Sequence, residues 1–327
     1  MKRAAIVGMG AIYPIHSAAI QALDGIELVG VCDIDAKKRA AAPEGVPAFE
    51  DVREMVEQTH PDCVHVCLPH YLHYPISKQV VEMGVNVLCE KPVALNGREA
   101  LEFRRLEQEH PEVKIAVSLQ NRLNETTEEL VRIIGSGEHG KVMGIRAEVP
   151  WYRPLAYYQA EPWRGRWDQA GSGVMMNQAI HTIDLMYLLG GPVQRIKASV
   201  EQILDYGIEV EDTVSARFQY ENGAIGHLYA TNANFKNEGV NISVDLEHAS
   251  FRMRDNVLYE VGEGNVETKL VEDQKLPGAS HKKLIRGFYD CLEDGSDEYI
   301  HVRDAYMSVH LIDVIKDSGL TGSWANV

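Results

Sequence analysis

The chain is short of positive charge: 32 lysines and arginines stand against 48 aspartates and glutamates, a formal net charge of −16. A surface of that sign repels phosphate backbones and anionic lipid, so neither nucleic acid nor membrane is an expected partner. An anionic cofactor is still admissible, because one helix N-terminus is a local anion site whatever the net charge. No apolar run reaches the length of a membrane span. Cysteine is scarce, with five residues at positions 32, 63, 67, 89 and 291 and no Cys-x-x-Cys pair. Four of them lie in apolar, strand-like runs and read as buried free thiols. An odd count without a signal peptide points to a reducing compartment, hence a cytoplasmic protein. Lys2-Arg3 before an apolar stretch imitates a signal peptide, but Gly8, Gly10, Pro14 and His16 interrupt that stretch. Internal repeats and low-complexity linkers are absent as well.

What is present starts at the first residues. With 327 residues, 45% of them apolar and 24% charged, the chain has material for two domains and a large core. Ala4–Val7 reads as a strand, Gly8-Met9-Gly10-Ala11-Ile12 as a glycine turn opening a helix, and Leu28–Cys32 as a second strand ending at Asp33. In that order Gly8 permits the tight turn and Gly10 lets backbone approach a pyrophosphate. The helix end then supplies free N–H groups, and Asp33 can accept from the adenosine ribose hydroxyls. Two glycines alone also serve a plain strand–turn–helix; the acid at the right distance favours a dinucleotide. Asp33 opposes a 2′-phosphate, which favours NAD over NADP, although Lys37, Lys38 and Arg39 lie close by. The third glycine position is occupied by Tyr13.

Further short apolar runs at Cys63–Leu68, Val85–Cys89 and Ile115–Leu119 alternate with helical patterns at 52–58, 75–83 and 97–109. Continuous apolar strands between helices predict a doubly wound parallel sheet of Rossmann type, with ligands at the carboxyl ends of its strands. Gly8–Ile12, Asp33, Leu68, Pro69–His73 and Glu90–Pro92 should then face one crevice. Near residue 121 the pattern changes, which divides the chain into an expected nucleotide domain at 1–121 and a second domain at 122–327. In the second, a helical pattern at 125–134 and a strand-like alternation at 142–149 precede a helical run at 174–189, which is followed by strand-like runs at 195–203, 213–220, 224–231, 241–246, 250–253 and 257–259. These predict an α+β domain with a mainly antiparallel sheet of about six strands, one face on the helix. The segments 282–293 and 303–318 read as helices, which can pack back on the first domain.

Three clusters can carry chemistry. Glu90-Lys91-Pro92 ends the fourth strand, where a lysine can hydrogen-bond a substrate hydroxyl and steady developing negative charge; a surface turn uses the same triplet. Pro92 is a candidate cis proline. On a helix, Asn177, His181 and Asp184 share one face, and His181 titrates near neutrality, so it suits a general base as well as a core histidine paired with Asp184. Trp151, Tyr152, Arg153, Tyr157, Tyr158, Trp163, Arg164 and Trp167 form an aromatic loop with arginines, suited to sugar rings or a nicotinamide, or to its own packing or a subunit interface. His65 sits inside a strand as a structural residue, and His70 and His73 border the cofactor. No clustered ligand set predicts a metal.

Taken together, Gly8-Met9-Gly10-Ala11-Ile12, Cys67-Leu68-Pro69-His70, Glu90-Lys91-Pro92, Trp163-Arg164-Gly165 and the 171–184 segment resemble the glucose–fructose oxidoreductase / inositol dehydrogenase / rhizopine-catabolism (Gfo/Idh/MocA) family. The resemblance covers nearly the whole chain. It implies an N-terminal Rossmann domain and a C-terminal domain with an open antiparallel sheet that makes a homodimer or homotetramer. It also implies NAD- or NADP-dependent oxidation or reduction of sugars, inositols and related polyols. By resemblance Lys91 is the active-site lysine, His181 the catalytic histidine, and Trp163 and Arg164 the pair at the nicotinamide side. The family often has Asp where this chain has Asn177, which cannot shuttle a proton but can hold a hydroxyl. The expected site is therefore Lys91, His181 and Asn177 for catalysis. Gly8, Gly10, Ala11, Ile12, Asp33, Leu68, Pro69, His73, Glu90, Lys91, Trp163 and Arg164 are expected at the cofactor. Lys91, Tyr152, Asn177, His181 and His281 are expected at the substrate. A redox-neutral, NAD-retaining glycoside-cleaving enzyme and a nicotinamide-binding sensor are the alternatives, and the sensor would need neither Lys91 nor His181.

Overall fold

A computed structural model describes residues 1–274 and 278–327. The chain divides into two compact units, Met1–Gln120 with Leu276–Tyr306, and Asn121–Lys275 with Met307–Val327.

The first unit contains strands β1 (Lys2–Val7), β2 (Ile26–Cys32), β3 (Ala48–Phe49), β4 (Cys63–Val66), β5 (Asn86–Glu90) and β6 (Ile115–Ser118). Their order is β3-β2-β1-β4-β5-β6 and every pair is parallel. Ala4–Val7 and all of β4 and β6 are buried, as both-sided burial under helices requires. The covering helices Val52–Thr59 and Gly97–Glu109 are started by Asp51 and Asn96, whose side chains accept from the amides of Glu54 and Glu99. All five expected strands are present. The sixth, β3, is a two-residue edge strand, too short to leave a pattern. The order reverses between β1 and β4, so the loops after these two strands flank the ligand crevice of a doubly wound sheet. Within this unit the helix Ala279–Asp294 lies against the helix Tyr13–Gln21 and against β6.

The second unit has a nine-stranded sheet rather than six strands. Its strands are β7 (Val142–Pro150), β8 (Val193–Glu201), β9 (Thr213–Tyr220), β10 (Ile225–Thr231), β11 (Asn241–Leu246), β12 (Ser250–Arg254), β13 (Val257–Val261), β14 (Glu267–Glu272) and β15 (Ala325–Asn326). The order is β14-β13-β12-β11-β7-β10-β9-β8-β15, antiparallel except for the β7–β10 pair. Of the three further strands, β7 coincides with the strand-like alternation at 142–149, and the other two have physical reasons for escaping the pattern. β14 is polar and largely exposed, and β15 is only two residues long. β7 lies before the helix in sequence yet sits in the middle of the sheet. The helix Ile180–Gly190 packs on β7 and β10, and Gly190 lets it approach: a Cβ there would stand 2.4 Å from the Tyr220 ring. Among the described residues no helix is long and apolar enough to cross a membrane.

Candidate active site

In the first unit the glycine turn is built as the sequence demands. Gly8 has φ +93°, and a Cβ on it would stand 2.3 Å from the Cys67 carbonyl oxygen, so no other residue fits. A Cβ on Gly10 would meet nothing within 4 Å, which leaves the backbone open to a ligand. The helix Tyr13–Gln21 then starts without a side-chain cap, with Pro at its first positions. Its N–H groups and positive dipole end fit a pyrophosphate. Tyr13 brings to this turn a buried hydroxyl that has no hydrogen-bond partner among the described residues. Asp33 is 8% exposed and holds the turn from the second strand: its Oδ2 accepts from Met9 N at 2.8 Å and its Oδ1 from Asp35 N at 2.9 Å. Lys38 Nζ lies 3.6 Å from Asp33 Oδ2, while Arg39 donates to the Asp33 carbonyl and to Glu50.

The loops after β4 and β5 are tied together by one ring. His73 is buried, and its Nδ1 and Nε2 stand 2.6 and 2.7 Å from the carbonyl oxygens of Pro92 and Leu68. Lys91–Pro92 is a cis peptide. The neutral ring that burial favours donates from one nitrogen only, so His73→Ala removes one donor to these carbonyls, at about 1–3 kcal/mol. Thermal unfolding should show this as a loss of roughly 2–4 °C per kcal/mol. Unchanged melting would mean that the ring does not hold these turns.

Glu90 and His281, expected at the cofactor and at the substrate, are placed beside each other. The Glu90 carboxylate is buried and faces His16 Nε2 at 3.0 Å and His281 Nε2 at 3.7 Å. His16, which drew notice only for breaking an apolar stretch, is fully buried. His65 is buried as expected of a structural residue, between His16 and Tyr289. All five cysteines are free and buried.

In the second unit the helix carrying Asn177 and His181 begins under tight control. A Cβ on Gly173 would stand 1.8 Å from the Glu211 carbonyl oxygen. The Glu211 carboxylate, buried and unmentioned by any motif, accepts from Ser172 Oγ, Gly173 N and Met175 N at 2.8, 2.9 and 3.1 Å. Burial pushes its carboxyl above the usual range despite these donors. The first turn, Met175–Ala179, is π-helical before the α-helix proper. A π turn inserts an extra residue and re-aims side chains. Asn177 donates weakly to the carbonyls of Ser172 and Gly173. From Ala170 to Met186 only Asn177 and His181 are not buried. Asp184 accepts Arg122 in a bidentate pair at 2.7 and 2.8 Å, and Ser308 Oγ at 2.8 Å. Its carboxylate thereby pins the helix to two distant segments.

The 151–167 stretch is not plain loop: it folds into short helices at Leu155–Ala160 and Pro162–Gly165. Arg164 stacks on Tyr157 at 4.3 Å and stands 5.7 Å from the Trp163 ring, and Arg153 stacks on Trp151 at 4.7 Å. Gln178 donates to the Tyr157 hydroxyl at 3.1 Å and accepts from Asn232, which fixes this aromatic segment to the helix. Tyr152 is 39% exposed, its amide donating to Asn237.

Residues 2–118 match the oxidoreductase family with NAD-binding Rossmann fold (GFO_IDH_MocA), and residues 127–252 match the GFO/IDH/MocA C-terminal domain. The chain is similar over 100% of its length, and 96% of the other, to the WlbA dehydrogenase of Chromobacterium violaceum in complex with NADH and UDP-GlcNAcA, with 30% identity and a TM-score of 0.85. The Bordetella pertussis WlbA dehydrogenase, also in complex with NADH and UDP-GlcNAcA, shows 28% identity and a TM-score of 0.88 over 99% and 98% of the two chains. The D-glucoside 3-dehydrogenase of Escherichia coli is 24% identical over 98% of this chain and 96% of its own.

Proposed function

Because the chain belongs to the GFO/IDH/MocA oxidoreductase family and has its NAD-binding Rossmann fold, we propose that its substrate is a secondary alcohol of a sugar, sugar derivative or cyclitol. The observation that carries this reading is the pair Asn177 and His181, the only residues between Ala170 and Met186 that are not buried. Accessible polar groups on such a helix serve a ligand better than they serve packing.

Bound NAD would supply the hydride acceptor, and Gly8, Gly10, Ala11, Ile12 and Asp33 would hold it with Leu68, Pro69, Trp163 and Arg164, while His73 serves the turns it ties together. The alcohol loses its carbinol hydrogen as hydride and its hydroxyl proton to a ring nitrogen of His181, leaving a ketone. Lys91 and Asn177 donate to the oxygen and stabilise its charge as the O–H bond breaks. The aromatic segment around Tyr152 and Tyr157 offers flat faces to the sugar ring. Asp33 opposes the 2′-phosphate of NADP, and titration should give weaker binding for NADP than for NAD. The named relatives act on or bind glucosides and a nucleotide sugar, which supports carbohydrate over a simple alcohol.

The test is NADH formation across sugars, cyclitols, glycosides and nucleotide sugars. Signal on one class, proportional to enzyme, is expected. Release of an aglycone without net NADH would replace this reading with redox-neutral glycoside cleavage. The reading includes a homodimer or homotetramer built through the large sheet. Its outward face carries Met143 and Tyr229, 49% and 45% exposed. Tyr229→Glu should lower the mass measured by light scattering toward that of one chain, and an unchanged mass would place the interface elsewhere.

A further inference from the structure

The first unit holds a buried chain of hydrogen-bonding groups that the reaction as described does not use. Tyr289 hydroxyl stands 3.0 Å from His65 Nε2, His65 Nδ1 stands 2.9 Å from His16 Nδ1, and His16 Nε2 stands 3.0 Å from Glu90 Oε1. His65 and His16 are 0% exposed and Tyr289 2%. The proton count decides the arrangement. With Tyr289 donating to His65, His65 donating to His16, and His16 donating to Glu90, every contact has one proton with both rings neutral, and the chain ends on an ionised carboxylate. Burial keeps the Tyr289 phenol protonated and His65 neutral. For Glu90, burial pushes the carboxyl up, but the hydrogen bond from His16 and the nearby His281 outweigh it and hold the group well below the usual carboxylate range.

The carboxylate sits immediately before Lys91, whose own amide lies 3.3 Å from Glu90 Oε2. We propose that Glu90 is a positioning residue for Lys91: a carboxylate fixed by His16 from the cofactor-binding helix and by His281 from the helix Ala279–Asp294, which keeps the neighbouring ammonium charged. Burial draws Lys91 below the usual lysine range, and the Glu90 charge is the opposing influence. Among the described residues His65, Cys67, Cys89 and His73 also feel the Glu90 charge; His73, if charged, would oppose the ammonium. Because His16 lies one turn beyond the glycine loop, the helix that receives the cofactor also carries the donor that fixes this anion.

The experiment reads Lys91 directly, by acylation with acetic anhydride across a pH series and mass spectrometry of the Lys91 peptide. It needs no substrate, so its failure is separable from failure of the proposed function. In folded Glu90→Gln the midpoint of Lys91 reactivity should fall by about one pH unit or more, a tenfold loss of proton affinity. Glu90→Asp should recover most of that loss. An identical midpoint in Glu90→Gln would overturn the proposal. Should that variant not fold, the wild type decides: the Glu90 13Cδ resonance, assigned with Glu90→Asp, should inflect at the pH where Lys91 loses its proton. A flat resonance through that range overturns the proposal. One further result would do so. His16, Glu90 and His281 offer three ligand atoms within 4.8 Å of one another. Zinc retained at one per chain through dialysis against a chelator, and lost in His281→Gln, would mean that Glu90 answers to a metal rather than to Lys91.

Discussion

Replacing His181 by alanine is expected to lower kcat by about 10²–10⁴-fold, the usual worth of a positioned general base. The fold should survive, because His181 is not among the buried residues of its helix and its loss opens no core cavity. The helix is held elsewhere: at its start by Glu211, along its length by the Arg122–Asp184–Ser308 cluster, and through Gln178 to the aromatic segment. NADH binding should persist, since the glycine turn and Asp33 lie in the other unit. The pH profile supplies the second readout. A base must be neutral to work, so the wild-type rate should fall on the acid side as His181 takes a proton, and His181→Ala should lose that limb. His181→Asn, which keeps a hydrogen-bonding group but cannot move a proton at neutral pH, should stay as slow as alanine. Were His181 only a core histidine, melting temperature would drop and the rate of the surviving folded protein would not. Asn177→Asp bears on the same group: a new carboxylate near His181 favours the charged ring and should move the acid limb upward. No movement would place Asn177 away from the base.

Much of this arrangement is legible in the sequence, and the reasons differ by element. The parallel sheet announces itself because both-sided burial makes Ala4–Val7 or Cys63–Val66 continuously apolar. The glycine turn is legible because Gly8 has no substitute: its φ and the Cys67 carbonyl exclude a side chain. β14 and β15 leave no such trace, one being polar and exposed, the other two residues long. In the 174–189 run the i, i+4 spacing of Asn177 and His181 does pick out the two residues that are not buried before Tyr187. It does not disclose the π turn between Met175 and Ala179, because that depends on Glu211 drawing in the amides of Gly173 and Met175 from 38 and 36 residues away. Asp184 is read as a partner for the neighbouring histidine; its recorded donors are Arg122 and Ser308, 62 and 124 residues distant. Long-range pairing of that kind has no local signal. The same holds for His16 and His281, which periodicity treats as a helix interruption and a late pocket residue, and which the fold brings to one carboxylate.

Lys91→Ala is expected to cost about 10²–10³-fold in kcat, the effect of removing one donor aimed at developing oxyanion charge. Lys91 follows the strand whose Val87–Glu90 stretch is buried, and the alanine backbone can keep the turn that His73 holds through the Pro92 carbonyl. The loss should therefore appear as rate, with NADH still bound and the melting temperature little changed. Lys91→Arg separates charge from shape: it keeps the positive charge but spreads it over a planar fork, so partial activity would mean that charge suffices, and loss equal to alanine would mean that the oxygen must meet a compact ammonium. The combination with Glu90→Gln distinguishes acting alone from acting through a neighbour. If Glu90 serves the reaction only by keeping Lys91 charged, the double variant should be no slower than Lys91→Ala, because the second substitution removes support for a group already absent. Multiplying losses would give Glu90 a separate task, with the cofactor-binding helix through His16 as the place to look for it. The alkaline limb carries the same logic. A lysine that must stay charged loses activity as pH rises through its folded pKa, which burial sets below the usual lysine range. Glu90→Gln should therefore bring that limb to lower pH, and Lys91→Ala should remove it.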